Sequence, residues 1–316
     1  MRPAPLVLSV SDLLPAERGP RLDEALARFT ITPILAPGPE FEEVYAFLDA
    51  EFGPKNELEA KATLAGWLGR HGAVNGLFAA YHLLACRDAD GALAGARDCF
   101  VIRRGDGPWV VLLSHVLIGP TWRRSGLGAL LRAAPVALLR AAGARDDEER
   151  VLAAEQELID PADEASIVRQ LAYGRAGFSA LNPQVFPYAQ PDFRPHDVAA
   201  ADPKPVPMML TLRRLGLESA TEAPAALAWA VLDAFDVIHG EHCLPGDLAA
   251  RRALAEVWCR DPVPMMRFDP RQPEAAAPLL RAATLPLLPR RLGGTEGAPV
   301  GTIDDACAAL RARWSA

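Results

Sequence analysis

A loop of arginines and glycines near the middle of the chain separates an apolar strand pattern from an apolar helical pattern. Residues 109–118 read WVVLLSHVLI, the loop contains Arg123-Arg124-Ser125-Gly126-Leu127-Gly128, and residues 129–143 read ALLRAAPVALLRAAG. A helix that begins here leaves its first backbone N–H groups without intrahelical partners, and its dipole adds about half a positive charge. The two arginines add whole charges. The sequence therefore predicts an anion site whose natural guest is a phosphate or a pyrophosphate.

Two familiar phosphate loops do not fit these residues. A Walker loop requires a Lys directly after its last glycine, and no Lys follows Gly126 or Gly128. The dinucleotide fingerprint requires three glycines in the pattern Gly-x-Gly-x-x-Gly, and only two are present. An ordinary strand-to-helix turn, in which the glycines only relieve backbone strain, is the structural alternative. Pro135 falls in the middle of the predicted helix, where it removes a hydrogen bond and is expected to kink the axis.

The loop resembles the acyl-CoA loop of the GNAT acetyltransferase superfamily. That loop reads Gln/Arg-x-x-Gly-x-Gly/Ala and lies between a strand and a helix; Arg123, Gly126 and Gly128 match it. The resemblance implies that backbone amides bind the pyrophosphate of acetyl-CoA or another acyl-CoA, and that the end of the preceding strand pairs with the pantetheine arm. The amides concerned belong to Arg124, Ser125, Gly126, Leu127, Gly128 and Ala129, and the strand-end residues are Leu117 and Ile118.

A second resemblance lies further along the chain. The superfamily commonly ends its fourth helix in Asn-x-x-Ala-x-x-Leu-Tyr-x-x-x-Gly-Phe, and Tyr173, Gly177 and Phe178 keep the last part at the right spacing. Ser166 stands where Asn is usual, and Arg169 stands where Ala is usual. The resemblance implies that Tyr173 is the general acid that protonates the departing thiolate. A buried core tyrosine on an amphipathic helix is the alternative.

The order of elements fits the same superfamily. Hydrophobic periodicity and turn residues predict an irregular leader, a strand at 29–35, helices at 41–51 and 57–71, strands at 76–87, 92–103 and 109–118, the central helix, a strand at 151–158, a helix at 160–173, and strands at 178–187 and 206–215. The resemblance therefore covers residues 29–215. It implies an α/β (α+β) fold, with a mixed, mostly antiparallel twisted sheet flanked by helices.

The texture of the sequence changes after residue 215. Helical patterns at 225–239, 247–260, 275–285 and 304–314 alternate with prolines, so we predict a GNAT-like domain at 1–215 and a mostly helical extension at 216–316. His239-Gly240-Glu241-His242-Cys243 has ligand-like spacing, but a structural zinc site needs about four ligands and no second cluster is visible. A helix end is the preferred interpretation, and no metal is expected.

Composition excludes several classes of partner. The net charge of -7 and the absence of any long basic tract argue against nucleic acid and anionic membranes. Five widely spaced cysteines without a Cys-x-x-Cys pair argue against a disulfide framework and predict reduced thiols. No apolar run is long enough to span a membrane, and the first residues lack a signal-peptide pattern. We therefore expect a cytoplasmic protein.

The general base has two candidates. Glu155 and Glu157 share one face of the predicted strand at period two, and Asp160, Asp163 and Glu164 follow, so this acidic edge would attract a cationic substrate. Glu155 is the preferred base. His115 is its rival, although a lone histidine in an apolar strand is usually a satisfied core residue.

Three functions compete at this point. The first is a CoA-dependent N-acyltransferase, with acetyl as the expected group, in which a small-molecule or peptide amine attacks the thioester directly. The second is a catalytically silent CoA-binding or regulatory protein that uses the helical tail as an interaction or homodimer surface. The third is a protein of another class whose arginine-rich loop holds a nucleotide.

Overall fold

A computed structural model of the chain describes residues 3–18, 21–55, 57–74, 76–157, 164–190, 197–198, 206–240 and 245–267. The chain divides into two compact units, Met1–Leu152 and Ala153–Ala316. The predicted boundary between residues 215 and 216 therefore lies inside the second unit, and a domain division at that point stays a prediction.

The first unit contains an antiparallel sheet in the order β1-β3-β4-β5, with β2 also paired to β3. Its strands are β1 (Thr30–Ile34), β2 (His71–Val74), β3 (Leu77–Arg87), β4 (Leu93–Arg104) and β5 (Trp109–Ile118). The turn between β3 and β4 uses the predicted Asp-Gly chemistry: Asp88 Oδ1 accepts the N–H groups of Asp90 and Ala92, and Gly91 adopts φ +83°.

Four α-helices accompany this sheet: α1 (Leu22–Arg28), α2 (Pro39–Phe52), α3 (Lys61–Trp67) and α4 (Leu127–Ala141). The expectation of an irregular leader was wrong, because it contains α1 and two short 3-10 turns. The predicted helix at 57–71 was too long. Residues 57–60 form a loop, and His71 already begins β2. Both errors come from short segments whose apolar residues bury equally well in a turn or in a helix.

Helix α4 continues through Pro135 because a side chain replaces the missing backbone donor. A proline at 135 leaves the carbonyl of Leu131, four residues earlier, without its intrahelical N–H. The buried Arg97 of β4 donates from Nη1 to that oxygen at 3.2 Å. The sequence signalled a break at Pro135, but the helix is maintained by a partner 34 residues or more away in the chain.

The second unit has its own sheet, in the order β6-β9-β7-β11-β10, with β8 paired to β9. Its strands are β6 (Arg150–Glu157, which begins just before the division), β7 (Ser179–Leu181), β8 (Tyr188–Gln190), β9 (Val206–Arg214), β10 (Glu222–Ala223) and β11 (Val263–Met266). Its helices are α5 (Glu164–Arg175), α6 (Ala225–His239) and α7 (Pro245–Trp258).

The C-terminal extension is partly helical and partly sheet. The predicted helix at 225–239 is confirmed by α6, and the pattern at 247–260 corresponds to α7. Strands β10 and β11 were missed, because two to four residues give too short an alternation to recognise. The predicted strand at 178–187 is only the three residues of β7 followed by a turn. The helices predicted at 275–285 and 304–314 lie outside the described residues.

The predicted fold class is confirmed: both units combine mostly antiparallel strands with flanking helices. Within the described ranges, no helix has both the length and the apolar character needed to cross a bilayer.

Candidate functional site

The predicted anion loop connects β5 to α4 through two left-handed residues. After β5 ends at Ile118, a 3-10 turn runs from Pro120 to Trp122, and Arg124 and Gly126 then adopt φ +65° and +88°. Arg124 is the one non-glycine residue with positive φ in the part of the chain that the structure describes. This conformation costs about 1–2 kcal/mol for a residue with a Cβ. Alternating right- and left-handed residues turn successive N–H groups toward one concave side, which favours anions.

Some of the amides in this loop have no hydrogen-bond partner. Among the described residues, nothing accepts from the backbone N–H groups of Arg124, Gly126 and Gly128. The N–H of Ser125 donates to the Trp122 carbonyl at 3.3 Å, and the N–H of Ala129 donates to the Gly126 carbonyl at 3.0 Å. Three of the six predicted donors are therefore available at the start of α4, and Leu127 N–H makes only a long contact of 3.4 Å to a hydroxyl.

The loop is also strongly positive. The side chains of Arg123 and Arg124 are exposed, and no carboxylate of the described residues forms an ion pair with either of them. A third arginine comes from the leader: Arg21 Nη1 donates to the Arg124 carbonyl at 2.5 Å. Arg132, one turn into α4, is instead paired with the buried Glu17 at 2.6 Å. Three guanidinium groups thus surround the unpartnered amides.

The two motif glycines are required for different reasons. A Cβ on Gly126 would lie 2.9 Å from the Arg21 carbonyl oxygen and 3.0 Å from Ala25 Cβ, so helix α1 packs directly on this position. A Cβ on Gly128 would lie 3.4 Å from the ends of two side chains, Arg132 and Ile118. Both glycines keep part of their surface exposed. The sequence did not indicate that the leader covers the loop.

Strand β5 contains a bulge just before the loop. Arg97 of β4 pairs with Val116 and Cys99 pairs with Leu113, so Asp98 alone faces Ser114 and His115. A bulge leaves one residue of the ladder unpaired, and bulges are common beside active sites. Here the freed N–H of His115 donates to Asp98 Oδ1 at 2.6 Å.

Leu117 and Ile118, the residues predicted to pair with pantetheine, follow this bulge. Along their β4 side they pair with Ala96 and Gly95. Both are partly exposed. Their role toward a ligand stays a prediction.

His115 is held as a cation inside the first unit. Its Nε2 lies 2.6 Å from the Glu57 carbonyl oxygen, which can only accept, and its Nδ1 lies 3.1 Å from the Asp98 carboxylate. Both ring nitrogens are therefore donors. Burial opposes the charged form, but the charge and hydrogen bond of Asp98 outweigh it and raise the pKa of His115 to about 10. An imidazolium cannot accept a proton, so His115 acts as the satisfied core residue that its apolar strand suggested.

Asp98 is the partner that the sequence did not reveal. Burial alone would raise the pKa of this fully buried carboxyl, but the charge and hydrogen bonds of His115 hold it below its usual value. The hydroxyl of Tyr81 donates a further hydrogen bond at 3.1 Å. An acid in the run ARDCFVIR was the available signal, because a carboxylate inside an apolar strand must find donors.

Glu155, the preferred base, lies in a polar network of the second unit. The hydroxyl of Tyr188 donates to its Oε1, and Gln190 Nε2 donates to its Oε2 at 3.1 Å. His239 Nε2 lies 3.7 Å from the same Oε2. Arg251 of α7 donates to the Tyr188 hydroxyl at 3.1 Å. Both carboxylate oxygens therefore accept hydrogen bonds, and the surrounding donors come partly from the C-terminal extension.

The other predicted residues of the second unit lie on α5 and β6. The ring of Tyr173 is partly exposed and packs edge-on against Phe178, with centroids 4.9 Å apart. Arg169, the departure from the family pattern, forms an ion pair with Glu157. The catalytic roles of Tyr173 and Glu155 stay predictions. Asp160 and Asp163 lie outside the described residues, and α6 ends at His239 as expected.

Comparisons with known proteins find solved structures only. No protein-family model matches the chain, and no curated protein matches it. GNAT-family N-acetyltransferases of known structure are similar to it over rather more than half of its length.

Three of these structures illustrate the likeness. A GCN5-related glucosamine N-acetyltransferase region of a fungal multi-domain GH3 β-N-acetylglucosaminidase is 18% identical, with a TM-score of 0.38, and the match covers 54% of this chain and 20% of that one. A GNAT-family acetyltransferase from Staphylococcus aureus Mu50 is 13% identical over 58% of this chain and 98% of its own, with a TM-score of 0.35. The IAA acetyltransferase of Bacillus cereus ATCC 14579 is 12% identical over 59% and 99%, with a TM-score of 0.35. Likeness at this distance assigns no role to any residue.

Proposed function

We propose that this protein is a CoA-dependent N-acyltransferase, with acetyl-CoA as the donor and an amine as the acceptor. The observation that carries the proposal is the loop before α4, where a strained Arg124 and three unpartnered amides lie among three arginines. Strain of this kind persists where surrounding contacts enforce it, and it clusters at ligand clamps. Amides directed at a common point beside the start of a helix fit a diphosphate.

The proposed reaction follows from the residues. The amides of Arg124, Gly126 and Gly128 hold the diphosphate, and the exposed guanidinium groups neutralise its charge. The main chain at Leu117 and Ile118 pairs with the pantetheine arm. A neutral amine attacks the thioester carbon directly, and Tyr173 supplies a proton to the sulfur as it leaves. No metal takes part in this scheme.

The acceptor in this proposal is a small molecule or a peptide that carries an amine. The protein has an excess of acidic groups, with a net charge of -7, which favours cationic over anionic substrates. We place the reaction in the cytoplasm, where the buried thiols of Cys86 and Cys99 stay reduced.

A thermal-shift measurement tests the ligand class. Acetyl-CoA, ATP and NAD are each added to the full-length protein at increasing concentration. Acetyl-CoA at a hundredfold its Kd is expected to add about 2.7 kcal/mol to the free energy of unfolding. ATP and NAD are expected to add much less. Stabilisation by ATP or NAD but not by acetyl-CoA would contradict the proposal and favour a nucleotide-binding protein of another class.

A catalytically silent CoA-binding protein is the second candidate. The engagement of both Glu155 oxygens by Tyr188 and Gln190 favours it, because a carboxylate fixed in this way is a poor proton acceptor. The two candidates separate in a turnover assay that follows loss of thioester absorbance with a panel of primary amines. Binding of acetyl-CoA without turnover of any amine would support the silent protein, and light scattering would then test whether the tail forms a homodimer.

A further inference from the structure

A carboxyl group of the first unit has a buried oxygen with no partner. Glu59 lies in the loop 57–60 that precedes α3, and its Oε2 is shielded from solvent and accepts no hydrogen bond from any described residue. The side chain as a whole is only partly buried. A buried carboxyl oxygen without a donor is unfavourable unless the group binds a proton or a cationic ligand.

The surroundings of Glu59 hold it in place. His115 Nε2 donates to the carbonyl of Glu57, two residues earlier, at 2.6 Å, and the hydroxyl of Tyr45 donates to the carbonyl of Glu59 itself at 3.3 Å. The imidazolium and Asp98 cancel each other in charge. Glu59 therefore remains as the one carboxyl of this cluster (Tyr45, Glu59, Tyr81, Asp98 and His115) whose charge nothing in the cluster neutralises.

Burial raises the pKa of Glu59 from its ordinary value, and the charge of Asp98 adds to this while that of His115 opposes it. A general base is most useful when its proton affinity lies near the working pH. The other candidate bases are less suited to the role: His115 already carries both protons, and Glu155 accepts from Tyr188 and Gln190.

We propose that Glu59 binds the ammonium group of the acceptor and removes its proton, with Asp98 and His115 as positioning residues that fix its loop to the sheet. The assignment rests on the proposed acyl transfer. One N–H bond of the ammonium breaks, its electron pair stays on nitrogen, and an O–H bond forms on Glu59. The nitrogen lone pair then forms the C–N bond as the C–S bond breaks, with its electron pair leaving on sulfur. A second N–H proton is lost as the amide forms and balances the proton taken up by the thiolate. Glu59 returns its proton to water.

The test compares Glu59→Gln with wild type, and Glu57→Gln, an exposed neighbour that contacts His115 only through its backbone, is the matched control. Acetyl transfer to putrescine, tyramine and glycinamide is followed by loss of thioester absorbance between pH 6 and 10. The kcat/KM of Glu59→Gln is expected to fall about 100-fold or more at pH 7 and to recover as pH rises toward the pKa of the amine, because free amine then forms without a base. The Kd of acetyl-CoA and the activity of Glu57→Gln are expected to stay unchanged.

Two results would overturn the assignment while leaving acyl transfer intact. One is a Glu59→Gln variant with wild-type activity and an unaltered pH profile. The other is a variant that stays equally impaired at every pH, which would indicate a structural role. Failure of the wild type to bind acetyl-CoA would instead refute the proposed function.

A second measurement decides the case in which the wild type binds acetyl-CoA but acetylates none of the three amines. The carboxyl carbons of glutamate are labelled with 13C, and the Glu59 signal is identified by its absence in Glu59→Gln. That signal is expected to titrate above the ordinary glutamate range of about 4.3 and to shift when methylammonium is added. An ordinary titration with no response to methylammonium would refute the assignment. The groups facing Glu59 that could alter this titration are Asp98, His115, Tyr81 and Tyr45.

Discussion

The two glycines of the anion loop should respond very differently to substitution by alanine. Gly126 has φ +88°, and an added methyl would lie 2.9 Å from the Arg21 carbonyl oxygen and 3.0 Å from Ala25 Cβ. The left-handed conformation costs an alanine about 1–2 kcal/mol. Overpacking against α1 adds about 1–3 kcal/mol. Gly126→Ala is therefore expected to lower the free energy of unfolding by about 2–5 kcal/mol.

Gly128→Ala is the matched control. Gly128 has no positive φ, and its new methyl would meet only the ends of the Arg132 and Ile118 side chains at 3.4 Å. The loss of unfolded-state freedom is expected to leave stability unchanged or to raise it by about 0.4–1 kcal/mol. Alanine also fits the last position of the acyl-CoA loop pattern, so binding of acetyl-CoA should survive.

Thermal and urea unfolding of both variants, with and without acetyl-CoA, measures these effects. At about 2–4 °C per kcal/mol for a unit of this size, Gly126→Ala should lower the Tm by at least about 4 °C. The reasoning about α1 is refuted if Gly126→Ala is as stable as Gly128→Ala. It is also refuted if Gly128→Ala is the more damaging substitution.

Three further perturbations follow from the first unit. In a double-mutant cycle, Arg97→Met should destabilise the protein by about 1–2 kcal/mol more than it does in a Pro135→Ala background, where the restored N–H satisfies the same carbonyl; additive urea midpoints would exclude this coupling. The raised pKa of His115 contributes stability that is fully present below its unfolded value of about 6.5 and is lost as pH rises toward 10, so His115→Gln should flatten this part of the stability profile, and an unchanged slope would contradict the imidazolium. Arg21→Ala removes the hydrogen bond that fixes the Arg124 carbonyl and is expected to weaken acetyl-CoA binding about tenfold in calorimetry; an unaltered Kd would mean that the leader does not shape the loop.

Local patterns predicted the long elements well. The strands at 76–87, 92–103 and 109–118 correspond to β3, β4 and β5 within one or two residues, because each carries a sustained apolar pattern bounded by glycines or by an Asp-Gly turn. Helices α2 and α6 were found in the same way. Short elements were missed or overextended, since burial against distant residues decides their conformation more than their own sequence does.

The candidate site was predictable only in its backbone part. The motif residues Arg123, Gly126 and Gly128 and the transition from strand to helix were visible in the sequence, and the structure places them in one loop. Long-range contacts could not be read in this way. Arg21 lies 103 residues from the carbonyl it binds, and Asp98 lies 17 residues from His115 across a bulge that no local pattern announces.

The same limit explains why alternation along β6 pointed to Glu155 and not to Glu59. Period-two spacing identifies the face on which a carboxylate lies, but its chemistry depends on the donors that reach it from other elements. Asp98 accepts three hydrogen bonds and Glu155 accepts at least two, so each would have to lose a donor before it could take a proton from a substrate. The Oε2 atom of Glu59 accepts none from the described residues. An ammonium ion supplies the N–H donor that this oxygen lacks, and the carboxyl that binds the acceptor is then already in contact with the proton that must be removed.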